Sequence, residues 1–352
     1  MTSAHLGVYS DWIDHAAAPA ARSGSLPAPE TVQQAVQAMV ATAGAVNYPE
    51  DVRVERRWTA DGLAGEEISY DVGFGPRTHA YVLKPANADG PLPGVVAMHG
   101  HDGFKYYGKE KIADTDIEPV EAVQAARAEL YEGRAFANDL ARRGYVVIVP
   151  DVFLWGSRRF DLPVGDDVAA YNAAAGPHEH VVEKYCTMLG TTMAAVVARE
   201  DLIALTYLRN REDTTDQSAS IGLSGGGCRS ALLRATSSEL TAAVVVGMMG
   251  TYNSLLDKNV VTHTWMLMPR MLPTTIDWPD VAACQAPAPL LVQYDRQDEL
   301  FPLAGAEAAH ERIAAHYAGT NTYTGQFFDG PHKFDGAMQD AAFSWLDDVI
   351  VQ

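Results

Sequence analysis

Three residues of this sequence have the types and the order needed for nucleophilic chemistry: Ser224, Asp298 and His332. Ser224 stands at the apex of Gly222-Leu223-Ser224-Gly225-Gly226, between an apolar run and a helix opening. This is the G-x-S-x-G pattern, in which small neighbours let a serine occupy a sharp strand-to-helix turn. The turn lifts the hydroxyl clear of the backbone, and the helix start behind it offers free N–H groups to a developing anion. A serine hydroxyl is a weak nucleophile on its own. It needs a base, and the base needs an acid to orient it. His332, just after the Gly330-Pro331 turn that follows a short apolar run, is the candidate base. Asp298, in Tyr294-Asp295-Arg296-Gln297-Asp298-Glu299-Leu300-Phe301-Pro302, is the candidate acid. It is preferred for its place in the loop; Asp295 is near enough to the strand to be a turn residue, and Glu299 falls on the rising helix.

Acyl chemistry also needs a site for negative charge. The N–H of Gly225 is one donor, and the loop His99-Gly100-His101-Asp102-Gly103 supplies the other through the N–H of His101. The His99/His101 pair has too few further ligands around it to read as a metal site, so no metal is expected. His178 and His180 read as solvated loop residues. Trp155, Arg158 and Arg159 follow a buried strand near the expected mouth, where an indole could form a wall and an arginine could grip a substrate carboxylate. A packed Trp and surface ion pairs are the plainer alternative. Asp102, Tyr106, Tyr107, Trp265 and Met266 are further pocket candidates, and Cys228 reads as core packing.

These residues must be placed by an alternating chain. Runs of period two at Val54–Trp58, Glu67–Tyr70 and Thr78–Leu83 predict antiparallel strands. Gly94–Met98, Tyr145–Pro150, Ile221–Leu223, Ala242–Val246, Leu290–Tyr294 and Gly325–Phe328 predict strands of a more buried kind. Helices are predicted over Thr31–Ala43, Glu132–Arg143, Val181–Arg209, Ala304–Tyr317 and Ala337–Ile350. Alternation of this length implies an α/β fold: a mostly parallel, doubly wound sheet with antiparallel strands at one edge. Residues 1–50 form an N-terminal helical extension that either covers the main domain or contributes to a homo-oligomer contact. Residues 51–352 form that domain, with insertions near 151–180 and 251–280 that leave the carboxyl ends of strands, where ligands bind.

The 352 residues carry a formal net charge of −19, which argues against nucleic acid or an anionic membrane as a partner. Three widely spaced cysteines (Cys186, Cys228 and Cys284) make no disulfide framework. With no basic start and apolar run at the N-terminus, a cytoplasmic location is expected.

The segments Pro93–Gly103, Gly222–Gly226, Asp298–Pro302 and Pro331-His332 together resemble the α/β-hydrolase superfamily. Within it, the chain resembles the branch of dienelactone hydrolases and acetyl xylan esterase-like proteins, over Gly62 to Val351. Ser224, Asp298 and His332 also follow the chain order of that superfamily. The resemblance implies that Ser224 attacks, His332 carries the proton, Asp298 holds the imidazole and water resolves an acyl-enzyme, with no cofactor. Dienelactone hydrolases proper carry a Cys nucleophile where this chain has Ser224. The expected function is hydrolysis of a small or medium carboxylic ester, acetyl esters included. Amide or peptide cleavage, and a biosynthetic lyase or acyltransferase, are the alternatives on the same scaffold.

Overall fold

The computed structural model describes residues 4–17, 25–45, 47–256 and 258–350. Nine strands form one sheet: β1 (Glu50–Ala60), β2 (Leu63–Asp71), β3 (Thr78–Pro85), β4 (Leu92–Met98), β5 (Val146–Pro150), β6 (Thr214–Leu223), β7 (Ala242–Val246), β8 (Leu290–Asp295) and β9 (Tyr323–Phe328). Their order is β1-β2-β3-β5-β4-β6-β7-β8-β9. The pairs from β1 to β3 and β3 with β5 are antiparallel, and every other pair is parallel. The antiparallel strands therefore lie at one edge, as the period-two runs predict.

The central strands are mostly apolar where they are buried, because helices cover both faces. β7 shows this at single-residue resolution. Ala243 and Val245 pack on the side of Leu232 and Val281, while Ala242, Val244 and Val246 pack on the side of Leu140, Phe343 and Leu346. β1, by contrast, is mostly exposed, charged and irregular in register, which blunts an open sheet edge.

The helices are α1 (Trp12–Ala17), α2 (Pro29–Ala41), α3 (Glu121–Leu130), α4 (Phe136–Arg142), α5 (Val168–Met188), α6 (Met193–Arg209), α7 (Gly225–Thr236), α8 (Trp278–Ala283), α9 (Leu303–His316) and α10 (Gly336–Ile350). Two sequence expectations change here. The helix expected over Glu132–Arg143 begins only at Phe136, because Glu132 and Gly133 take left-handed φ values of 53° and 77°. The preceding α3 escaped notice because only Val123 and Arg127 of it are buried, too little for an apolar stripe.

The long helix expected over Val181–Arg209 is two helices. Gly190, at φ 76°, ends the first, and Thr192 caps the second by accepting from Ala195 N at 3.1 Å. The insertion near 151–180 is also helical in its second half. Asp167 caps α5 by accepting from Ala170 N at 2.7 Å, and Pro177 sits on the exposed face of the helix. There the carbonyl that loses its partner meets water, so proline does not end the helix.

Of the first fifty residues, 1–3, 18–24 and 46 lie outside the described set. Within the rest, α2 buries Val32, Val36, Met39 and Val40 in the core shared with α6, α7 and α8. Gln33 Nε2 donates to Cys284 O at 2.7 Å. This helix covers the main body. Among the described residues, no helix is long and apolar enough to cross a membrane.

Val36 is fully buried in that contact. Val36→Ala is expected to lower unfolding stability by about 2 kcal/mol, read from urea denaturation. A loss near zero would mean that α2 is not docked in solution.

Candidate active site

Every parallel strand ends on the same edge of the sheet, and the loops that leave it hold the candidate residues. Ser224 follows β6 directly and starts α7 with φ 57° and ψ −117°, a region that side-chain-bearing residues rarely occupy. Ser224 N donates to Val246 O at 2.8 Å, which ties the turn to the end of β7. Cys228 N donates to Ser224 O at 2.9 Å and closes the first helical turn. Gly226 is obligatory: a Cβ there would lie 2.3 Å from Met98 O of β4. Deeper in α7, Arg229 makes a two-pronged ion pair with Asp201 at 2.9 and 2.7 Å and donates to His99 O at 3.2 Å. Cys228 is fully buried among core residues.

His332 lies in the loop after β9. That loop is laced to the loop after β8 by Arg296 N to Phe328 O at 2.8 Å and Gln297 N to Gly330 O at 3.0 Å. The lacing brings His332 Nδ1 to 2.7 Å from Asp298 Oδ2. The other oxygen of Asp298 accepts from Leu300 N at 2.7 Å and Phe301 N at 3.1 Å, so the bend that leads into α9 holds the carboxylate in place. Glu299, expected on the rising helix, lies instead in the bend before α9 and lines the cavity.

Asp295 is the more unusual neighbour. One of its carboxylate oxygens, one from Asp298 and a ring nitrogen of His332 all lie within 4.8 Å of one another. Burial pushes the Asp295 carboxyl up to about 7, with the Asp298 charge adding to the effect. Its Oδ2 accepts from Lys333 N at 3.2 Å, and its Oδ1 has no hydrogen-bond partner among the described residues. For His332, burial works against the charged ring. The hydrogen bond and charge of Asp298, with Asp295 and Asp102 behind them, outweigh burial and raise the imidazole above its usual value.

Ser224, Gly225, His101, Asp102 and His332 line one cavity of about 670 Å³. A Cβ on Gly225 would fall 2.6 Å from His101 N, so these two backbones lie against each other beside the serine. The insertion after β7 supplies a wall through Thr262, His263, Thr264 and Leu267, facing Phe301. Asp102 is ion-paired with the buried Lys111 at 2.8 Å.

The remaining candidates are placed elsewhere. Arg158 is turned inward, where it pairs with Glu200 at 2.6 Å and donates to the carbonyls of Phe74 and Pro76. It is not available to a substrate carboxylate. Arg159 lies over the Tyr106 ring at 4.3 Å, in a separate cavity of about 610 Å³ that does not contain Ser224 or His332. Tyr107 lines a third, smaller cavity. Trp155 is buried beneath the loop after β4, and its Nε1 donates to His101 O at 3.3 Å. It supports that loop and forms no wall. Trp265 sits just behind the cavity wall and donates to His180 Nδ1 at 2.8 Å, and Met266 is buried beside it. His178 and His180 lie on α5 and not on a loop.

The two histidines of the His99/His101 pair serve different contacts. His99 is buried and donates from Nδ1 to Gly100 O at 3.1 Å; burial, with the Arg229 and Lys111 charges, holds it neutral. His101 accepts from Gly103 N at Nδ1 and reaches Glu179 through Nε2.

Sequence reasoning missed Lys105, Lys109, Lys111 and Glu179, all buried around the loop after β4. One signal was present: three of the seven lysines of this acidic chain fall within 105–111, directly after that loop.

No family model matches the chain. A Bacillus subtilis (strain 168) protein named "Putative hydrolase YtaP" is 24% identical over 272 residues, which cover 77% of this chain and 81% of that protein. Acetyl xylan esterase 1 from Thermoanaerobacterium sp. JW/SL YS485 superposes with a TM-score of 0.61 at 13% identity, over 94% of this chain and 97% of that one. Methylesterase BT1017 gives a TM-score of 0.60 at 18% identity over 91% of this chain. This chain spans only 63% of the length of that methylesterase.

The shift of His332 can be read directly by NMR. In the wild type the imidazole midpoint is expected above 6.5. In Asp298→Asn it should fall, because burial remains while the largest opposing influence is gone. An unchanged midpoint would mean that the Nδ1 bond is absent in solution. The sheet order, the elbow at Ser224 and these likenesses agree on one architecture: the chain has the α/β-hydrolase fold.

Proposed function

We propose that this protein is a serine hydrolase that cleaves a carboxylic ester through Ser224, His332 and Asp298. The observation that carries the reading is the 2.7 Å bond to Asp298 from Nδ1 of His332, which lines the same cavity as Ser224. A bond at Nδ1 leaves Nε2 to take the serine proton. Ser224 Oγ then attacks the ester carbonyl, and the carbonyl oxygen gains charge beside the N–H groups of Gly225 and His101. His332 returns the proton to the departing alcohol. Water enters the same geometry, and the acyl group leaves as an acid, restoring Ser224.

The cavity favours an uncharged acyl group. The residues that line it include no Lys or Arg but do include Asp102, Glu129 and Glu299. A volume of about 670 Å³ suits a small or medium ester. The same lack of a cation leaves no anchor for the C-terminal carboxylate of a peptide. The names of the structural relatives, an acetyl xylan esterase and a methylesterase, support ester chemistry and leave the alcohol and acyl parts to experiment.

Intact-mass analysis with a fluorophosphonate probe should show one adduct on wild type and none on Ser224→Ala. Hydrolysis of p-nitrophenyl acetate should fall by roughly 10⁴-fold or more in the same variant. Retained turnover would remove Ser224 from the reaction.

The acid limb of kcat/KM should have its midpoint above 6.5, since the neutral imidazole is the working form and its pKa is raised. Activity is then lost as pH falls through that value; a flat limb would exclude His332 as base. Asp298→Asn should cost roughly 10³- to 10⁴-fold, far more than Asp295→Asn, and the reverse order would reassign the acid.

A further inference from the structure

Glu179 is a buried carboxylate behind the cavity wall that the reaction scheme does not use. Glu179 of α5 is 4% exposed, and its two oxygens take four donors. Oε1 accepts from Thr264 Oγ1 at 2.8 Å and from Trp265 N at 2.9 Å. Oε2 accepts from His101 Nε2 at 3.0 Å and from Lys105 Nζ. His101 and Lys105 belong to the loop after β4, Thr264 and Trp265 to the insertion after β7, and Glu179 to the insertion after β5. One side chain thus joins the three stretches that surround the candidate anion site.

The protonation pattern is fixed by the partners. His101 Nδ1 accepts from Gly103 N at 3.1 Å, so its ring proton sits on Nε2 and points at Glu179. Burial alone would raise the Glu179 carboxyl; the hydrogen bond from His101, with the charge and hydrogen bond of Lys105, outweighs it and holds the group below the usual carboxylate range. The imidazole is held at both nitrogens, and its own backbone N–H lies against Gly225.

We propose that Glu179 is a positioning residue for the oxyanion hole: through the His101 ring it sets the direction of the His101 N–H, and through Thr264 it seats the cavity wall against the same loop. This rests on reading the site as an ester hydrolase. The chemistry requires an acceptor at both oxygens. Glutamine has the shape of glutamate, yet its amide nitrogen must face one of the two donor pairs, leaving that pair without an acceptor. If the His101 side loses its partner, the loop relaxes and the donor leaves the 2.7–3.1 Å range that an oxyanion needs.

The test compares wild type, Glu179→Gln and the double variant Lys105→Met/Glu179→Met. The double variant removes the buried ions together, so that folding survives even if the single change fails to fold. Each protein is assayed with p-nitrophenyl acetate, with a boronic acid that becomes tetrahedral on Ser224, and by thermal melting. The expected result is a fall in kcat of about 10- to 100-fold with KM within about threefold, and an equal fall in boronate affinity. A purely structural role would lower the melting temperature and leave boronate affinity unchanged in the folded protein, which overturns the proposal while the esterase reading stands. If wild type itself fails to react with the fluorophosphonate probe, the hydrolase reading falls and this proposal falls with it.

Discussion

The backbone of Ser224 is the constraint on which the site depends. A side-chain-bearing residue at φ 57° costs on the order of 1–3 kcal/mol, and it persists only when its surroundings over-determine it. Here they do. β6 lies between β4 and β7, Val246 receives the Ser224 N–H, and α7 is buried from Gly225 to Ala235. A buried contact between Ser220 Oγ and Ser230 Oγ at 2.8 Å fastens the strand to the helix it feeds. The Arg229–Asp201 pair then ties α7 to α6. The serine is lifted out of the sheet because nothing else in that corner has room to move.

Around this rigid elbow the loops are organised by charge more than by apolar packing. Lys111 pairs with Asp102, Lys109 with Asp151, Lys105 with Glu179 and Arg158 with Glu200, every one of these cations buried. Removing such ions from water offsets much of their attraction, so the pairs add little to stability. Their contribution is shape. The carboxyl edge of the sheet must stay open to a ligand and so cannot be filled with a hydrocarbon core. Directional bonds from Lys111 Nζ to Gly100 O at 2.5 Å and Phe104 O at 3.2 Å fix the loop there instead.

How much of this was legible in the sequence follows from distance along the chain. The elbow is a local pattern, so Ser224 could be read from five consecutive residues. Asp298 and His332 could be read because each follows an apolar strand by a short turn, and the choice of Asp298 over Asp295 was one of loop position. The fold class was legible from alternation, and the helix ends least so, because Pro177 and Gly190 act through their surroundings: the first is tolerated on an exposed face, the second ends a helix outright. Glu179 was invisible. Its partners lie 74 to 86 residues away, and no spacing rule links them. Arg158 was misjudged for the same reason, since Glu200 comes 42 residues later on another helix.

The order of strands across the sheet also sets a timetable. β4, which flanks β6 on one side, is made before it; β7, β8 and β9, which complete the other side, are made after it. His332 follows Ser224 by more than a hundred residues. At about 5–20 residues per second, a growing chain carries its serine for roughly 5–20 s before the imidazole exists. During that interval the serine is an ordinary alcohol. A chain broken off between α9 and β9 would keep Ser224 and Asp298 but lack His332, and on the proposed mechanism such a fragment has no base to take the serine proton.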